Sequence, residues 1–399
     1  MNYEGAQSVV RCVGPRVRVG SGPMRLLDRY LLRELLVPLG YCLCGFLLLW
    51  IAADLCENLR DFEEKRLHAR DILEYYMVIT PEILVLILPI GLLLALLYTL
   101  TNHARNHEIT AIRAAGVSLW RLSLPYFVVG VMASALLFAI NEFWVPDSSE
   151  RAELIHIRRM APAGNPADRT KVRDLGFVNE RDRRRWLIGL YNPAAARMFN
   201  PIVLWTLADG SGIQLQAQRA DRVRGIWTFY NVSEFKLSGQ SNAPPVPLFQ
   251  TNVLAMPSFS ETPAQIRSEI KISRMMSLPE REAKNPDLAI TEILNYLRLH
   301  PEPSRSDAWW LYTKLQGRLA LPWTCIIVVL IAIPFGAASG RRNVFVGVAS
   351  SIVICFGYFV LQRVGMALGA TGTVAPWLAA WLPNLTFGLT GLWLTARVR

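Results

Sequence analysis

Residues 81–100 read PEILVLILPIGLLLALLYTL. Glu82 is the only charged residue in the run. Twenty helical residues rise about 30 Å, the thickness of a bilayer's hydrocarbon core. A surface helix of a soluble protein shows one apolar stripe, whereas this segment is apolar all round, which reads as membrane-spanning. Comparable runs precede and follow it at about 35–55 and 124–144, and three more close the chain at about 319–333, 344–368 and 375–394. The fourth is short and extends back to about Trp309, placing Lys314 and Arg318 inside or at the rim of the membrane. Six spans, three before and three after a long insertion, put both termini on one side. The 399-residue composition agrees: 52% hydrophobic against 18% charged, with a mean hydropathy of +0.27, excludes an ordinary soluble enzyme.

Cationic residues beside the spans set the orientation, because cytoplasmic loops retain Lys and Arg. Arg25, Arg29 and Arg33 precede the first span, Arg105, Arg113 and Arg121 lie between the second and third, Arg341 and Arg342 between the fourth and fifth, and Arg397 and Arg399 end the chain. All fall on one side, predicting cytoplasmic termini. The first loop, with Arg60, Lys65, Arg66 and Arg70, is an exception partly offset by Asp61, Glu63, Glu64 and Asp71. Residues 1–33 are polar and basic and lack the apolar core of a cleaved signal, so the first span is expected to stay as an anchor. The net charge of +11 divides into +5 within residues 146–305 and +6 elsewhere, so it forms no single basic patch and no nucleic-acid partner is expected.

Residues 146–305 read as a separate domain on the outer side. Trp186, Ile188 and Leu190, then Ile213, Leu215 and Ala217, then Trp227 and Phe229 alternate as strands do, with Asp209 to Gly212 as a turn. A β-jelly-roll or antiparallel sandwich is expected. After Pro263 the pattern turns helical, with Asn285 and Pro286 opening a helix whose face carries Ile290, Ile293, Leu294 and Leu297. The expected organisation is therefore 1–145 (tail, three spans, and a short helix at about 103–116), 146–305 (outer domain with helical linker) and 306–399 (three spans). None of the six cysteines, at positions 12, 42, 44, 56, 325 and 355, lies in the outer domain, which must stand without disulfides.

Catalytic signatures are missing from the sequence. It has no G-x-x-x-x-G-K-S/T phosphate loop, no G-x-S-x-G elbow and no H-E-x-x-H metal pair. His103 and His107 are spaced for one helical face, but no third ligand accompanies them. No catalytic residue, cofactor or metal is expected on this chain. Asn231-Val232-Ser233 matches a glycosylation acceptor and reads as strand. Asp54, Glu57, Glu82 and Glu142 sit at helix ends, where solvation makes them cheap. Lys314, Arg318 and Arg363 are cations within spans, each facing either a cavity or the headgroups.

The loop Asn102 to Arg121, NHARNHEITAIRAAGVSLWR, reads as a short helix. Glu108, Ile112 and Ala115 recur at helical spacing, Ala111, Ala114 and Ala115 are small, Gly116 suits a left-handed stop, and Ser118 can cap the third span. Small side chains permit close approach by another surface, and Glu108 in the first turn remains available to a partner's cation.

The run Arg105 to Ser118, RNHEITAIRAAGVS, resembles the coupling-helix signature of the LptF/LptG (YjgP/YjgQ) family of lipopolysaccharide-export permeases. Leu27-Asp28-Arg29-Tyr30, Asn141-Glu142 with Val145-Pro146, and Trp381-Leu382-Pro383-Asn384 agree, so the resemblance covers nearly the whole chain. It implies a permease half of an ABC exporter in the bacterial inner membrane, paired with a second LptF/LptG-type permease. It further implies a cytoplasmic ATPase dimer that holds ATP and Mg, and periplasmic β-sandwich bridge proteins that receive lipopolysaccharide from the outer domain. The coupling role falls on Arg105, Glu108, Ile109, Ile112, Arg113, Ala114 and Gly116. Phosphate contacts with the lipid fall on Lys314 and Arg318, with Arg60, Arg158 and Arg159 as weaker candidates. Asp54 stands where some members of that family have a lysine. Spans one and five line the family's lateral gate. The alternative reading is a mechanotransmission or scaffold protein of the inner membrane, whose outer domain binds a partner and which carries no lipid.

Overall fold

The computed structural model describes residues 26–64, 67–157, 172–193, 195–206, 212–237, 245–277, 288–337 and 344–397. Two long helices open it, α1 (Leu26–Glu64) and α2 (Ala69–Arg105). At 39 and 37 residues they are about 58 and 55 Å long, far more than the hydrocarbon core requires. Both therefore continue beyond the spans expected at 35–55 and 81–100. Their extended ends meet in an aromatic cluster of Phe62, Tyr75 and Tyr76, which also packs Ala152 and Ile155 of a later helix.

A short helix, α3 (Glu108–Ala114), leads to α4 (Leu119–Phe143) and α5 (Val145–Ile157). Six strands follow: β1 (Val172–Asn179), β2 (Arg184–Asn192), β3 (Arg197–Thr206), β4 (Gly212–Val223), β5 (Ile226–Leu237) and β6 (Val246–Met256). The chain returns through α6 (Pro263–Ser277) and α7 (Ile290–Leu299) to α8 (Arg305–Ala320), a 3-10 turn at Leu321–Trp323, α9 (Thr324–Ala337), α10 (Val344–Ala370) and α11 (Pro376–Arg397).

Among the described residues, five helical segments are long and apolar enough to cross a membrane: Leu26–Glu64, Ala69–Arg105, Leu119–Ser148, Arg305–Phe335 and Ile352–Ala370. α11 has 22 residues, sufficient length for a sixth, but its Trp, Thr, Asn and Arg side chains dilute its hydropathy. α2 is the central post, packed against α1, α4, α9 and α10. Leu92 and Leu96 of α2, Leu35 of α1, Tyr126 and Leu137 of α4, and Val329 and Ala332 of α9 form the core. α10 and α11 approach closely: a methyl group at Gly365 would overlap the backbone carbonyl of Ala379, so glycine is what permits the contact.

The 3-10 turn interrupts the fourth expected span. Pro322 has no N–H to donate to the Arg318 carbonyl, and the 3-10 turn around it loosens the helical ladder of the neighbouring carbonyls in an apolar surround. Neighbouring helices supply the donors. Ser134 of α4 donates to the Pro322 carbonyl at 2.6 Å, and Asn384 of α11 donates to that of Ala320 at 2.8 Å. Tyr358 of α10 donates in turn to Asn384 Oδ1 at 2.7 Å. The break is thus stitched from three sides.

The strands form one antiparallel sheet in the order β1-β2-β3-β4-β5-β6. This departs from the expected jelly roll, whose Greek-key crossings are not found among the described strands; each strand simply pairs with the next. The expected double layer arises differently. Trp186 on β2 and Trp227 on β5 are three strand spacings apart, about 14 Å in a flat sheet. Their ring centroids lie only 6.3 Å apart, so the sheet curls onto its own inner face. Of the residues read as alternating, Trp186, Ile188, Leu215, Ala217, Trp227 and Phe229 are buried there with Ile266 and Ile270 of α6 as a plug, whereas Leu190 and Ile213 are only half-buried and Tyr191 takes the inward place next to Leu190. The turn expected at Asp209 to Gly212 and the cap at Asn285 and Pro286 lie mainly or wholly outside the described residues. α7 begins after Ala289 and buries Ile293, Tyr296 and Leu299, while Leu294, read as part of its apolar face, is exposed.

Candidate functional site

The α2–α4 connection is shaped by three backbone breaks. α2 stops at Arg105, and His107 adopts the left-handed conformation at φ 60°. α3 spans only Glu108–Ala114; Gly116, at φ 84°, then reverses the chain, and Ser118 caps α4 by accepting the Arg121 N–H at 3.3 Å. The glycine stop and the serine cap match the sequence reading. The single helix expected over about 103–116 does not form. A helix would place residues five apart about 140° apart around its axis, yet His103 Nδ1 lies 2.7 Å from Glu108 Oε2. This contact closes the turn, and it also removes His103 and His107 from any shared helical face.

Side chains of the segment divide cleanly. Ile109 is buried in the bundle core and Ile112 packs against it. Glu108 turns the same way: the Tyr30 hydroxyl donates to its Oε2 at 3.0 Å, beside the His103 contact. Glu108 therefore has partners within the chain, while its side chain keeps 31% exposure. Arg105, Arg113, Ala114 and Gly116 are exposed, together with Ala111 and Ala115. The result is a small-residue platform flanked by two arginines and anchored from beneath. Arg121 pins the start of α4 to α1 through Asp28, at 2.9 Å. Asp28 and Tyr30 both lie in the Leu27–Tyr30 segment noted from sequence, but their contacts with residues 93 and 78 positions away were invisible there.

The expected lipid-phosphate cations scatter. Arg318 is 7% exposed and donates through Nη1 to the carbonyl of Asn141, in the last turn of α4. It therefore points into the bundle, where its charge suits a helix C-terminus, and not toward a cavity rim as expected. Lys314 sits over the Trp310 ring at 5.8 Å. Arg60 and Arg363 are exposed on α1 and α10. Arg158 and Arg159 lie outside the described residues.

A junction that the sequence did not reveal surrounds the end of α4. Glu142, read as a solvated acid, accepts the backbone N–H groups of Ile290 and Thr291 at 3.1 and 3.3 Å and so caps α7. Lys271 of α6 donates to the Pro146 carbonyl at 2.8 Å and pairs with Glu292 at 2.9 Å. Consecutive residues Asn141 and Glu142 thus hold the first helix of the returning bundle and the linker helix of the inserted domain. Further along, His300 is buried between Glu269 at 3.0 Å and Glu180 at 3.5 Å. Burial there disfavours its charge, but the hydrogen bonds and negative charges of the two carboxylates outweigh burial and raise its pKa.

No cluster of three or more metal-ligating side chains occurs among the described residues. The family model described as lipopolysaccharide export system permease LptF/LptG matches residues 29–397. Comparison with curated proteins returned no match.

Proposed function

The chain belongs to the lipopolysaccharide export system permease LptF/LptG family, and from that premise we propose that it is one permease half of an ATP-driven exporter that lifts lipopolysaccharide out of the inner membrane. The family assigns it a transport role rather than an enzymatic one. ATP and Mg then belong to a separate cytoplasmic ATPase dimer, in keeping with the missing phosphate loop. In this reading α11 serves as the sixth span, both termini are cytoplasmic, a second LptF/LptG-type permease completes the cavity, and the curled sheet hands the lipid to a periplasmic β-sandwich bridge.

The observation that carries the proposal is the platform on α3. Arg105, Arg113, Ala114 and Gly116 are the surface available to an ATPase, while Ile109, Ile112 and Glu108 transmit a push on that surface to α1 and α2. Glu108 acts through Oε2 on Tyr30 and His103, and its remaining exposure lets it also meet a partner's cation. Among the lipid-phosphate candidates, Lys314 and Arg60 fit better than Arg318, which is engaged by α4.

Glu108→Ala should leave the membrane bundle folded while weakening association with the ATPase or its coupling to lipid release. Co-purification with the ATPase and ATP-driven lipid release in proteoliposomes measure the two separately. If both match the wild type, α3 has no coupling role.

A further inference from the structure

His103 lies in the last turn of α2, and its side chain is only 3% exposed. Leu100 and Ala104 beside it belong to the apolar core of the bundle. Its Nδ1 is 2.7 Å from Glu108 Oε2, and an ionised carboxylate can only accept, so Nδ1 carries the hydrogen. The other ring nitrogen, Nε2, is buried and has no hydrogen-bond partner among the described residues. A half-satisfied polar ring is an unfavourable way to fill such a place, because a buried polar atom without a partner has lost its hydration for nothing. Leucine would fill the volume without that loss. Packing therefore does not account for His103, and its contact with Glu108 is what remains to explain it.

That contact aims the carboxylate. The Tyr30 hydroxyl also donates to Oε2, at 3.0 Å, and its ring leans over the imidazole with centroids 5.7 Å apart. Both donors converge on one oxygen, which leaves Oε1 for a cation arriving from outside. Tyr30 is exposed, so water competes for its hydroxyl, whereas the His103 contact is shorter and shielded. The buried contact therefore does most of the holding. A glutamate without it samples several rotamers, and ordering such a side chain on binding weakens a complex. His103 also ties the carboxylate to α2, the post against which α1, α4, α9 and α10 pack.

We propose that His103 is the positioning residue of the coupling segment: from the end of α2, its Nδ1–H clamps Glu108 Oε2 so that Oε1 is presented to a cation of the ATPase. This rests on the coupling role proposed for α3 and names the group that makes Glu108 fit for it.

Asparagine, glutamine and leucine at position 103 separate a correctly placed donor from mere filling. The amide nitrogen of asparagine is as many bonds from Cα as Nδ1, and that of glutamine as many as Nε2. Carbodiimide labelling of Glu108, read by mass spectrometry on the full-length protein in nanodiscs, reports whether the carboxylate is held. Affinity for the ATPase that co-purifies with the wild type reports the consequence. His103→Asn should match the wild type in both. His103→Leu and His103→Gln should label faster at Glu108 and bind the ATPase roughly tenfold more weakly, the low end of what a hydrogen bond to a charged group contributes. Leucine and glutamine variants that match the wild type, or an asparagine variant no better than they are, would overturn the proposal. Glu108→Ala in the same binding assay keeps the two readings apart. Normal affinity in that variant removes the coupling role of α3 itself, whereas a loss there, with His103→Leu and His103→Gln unchanged, removes only the positioning role of His103.

Discussion

Glu261 is fully buried and holds together the rim of the curled sheet, so its replacement tests the account of the fold most directly. Its carboxylate accepts Asn179 Nδ2 at 2.7 Å, Arg184 Nη1 at 3.0 Å and Trp186 Nε1 at 3.1 Å, while its backbone carbonyl accepts Trp227 Nε1 at 2.7 Å. Glu261→Gln keeps the volume and one acceptor but removes the charge facing Arg184, a hydrogen bond to a charged group worth about 1.5–3 kcal/mol. Arg184 keeps Asp182, so the cost should stay in that range. Glu261→Ala also strands the buried Asn179 amide and Trp186 indole, at about 1–3 kcal/mol each. Allowing for Asp182 as a remaining partner of Asn179 and Arg184, the total is about 5 kcal/mol, a large part of the roughly 5–15 kcal/mol that stabilises a domain. At about 2–4 °C per kcal/mol for a domain of this size, Glu261→Gln should lower the melting of the sheet by about 5–10 °C and Glu261→Ala by about 10–20 °C. Protease cleavage within residues 172–256 during a thermal ramp of the full-length protein reads this out. A Glu261→Ala protein that melts within about 2 °C of the wild type would refute the reasoning.

Three further outcomes follow from particular contacts. Glu142→Ala removes the cap on α7 and should cost about 1–2 kcal/mol locally, seen as faster deuterium uptake by residues 290–299; unchanged uptake would show that the cap is not what holds α7. His300 has a raised pKa in the folded protein, so its pairing with Glu269 contributes fully below the ordinary histidine value of about 6.5 and is lost as pH rises through the raised value. The melting difference between wild type and His300→Gln should therefore shrink as pH rises beyond the ordinary histidine value, and a difference independent of pH would contradict the ion pair. Asn384→Leu leaves the Ala320 carbonyl and the Tyr358 hydroxyl each short of a partner at the α8–α9 break, which should cost about 1–2 kcal/mol in the membrane and appear as a lower detergent-solubilised melting temperature. Tyr358→Phe, which leaves the Asn384 bond to Ala320 in place, should cost less.

Much of the coupling segment was legible because its signals are local. Gly116 stops a helix and Ser118 starts one through backbone and side-chain preferences that need no neighbours. His103 was misread for the opposite reason: its i, i+4 relation to His107 exists only if the helix continues, and the contact of Glu108 with His103 and Tyr30 bends the chain between them. Arg318 and Glu142 were read as a cavity cation and a solvated acid. Each instead satisfies a helix terminus, that of α4 or of α7, belonging to a segment more than 140 positions away.

The sequence by itself determined that the chain is a membrane protein with an inserted β domain, since hydropathy over 20 residues and alternation over a strand are properties of neighbouring residues. It also determined most of the residues of the strands that face inward, and by family signature the transport role. Only the tertiary structure decided that a plain meander curls into a double layer, that the break at Pro322 is stitched by Ser134 and Asn384, and that Glu142 caps α7. Each of these depends on which distant group supplies a donor or a charge within about 3 Å, and a linear pattern carries no record of that distance.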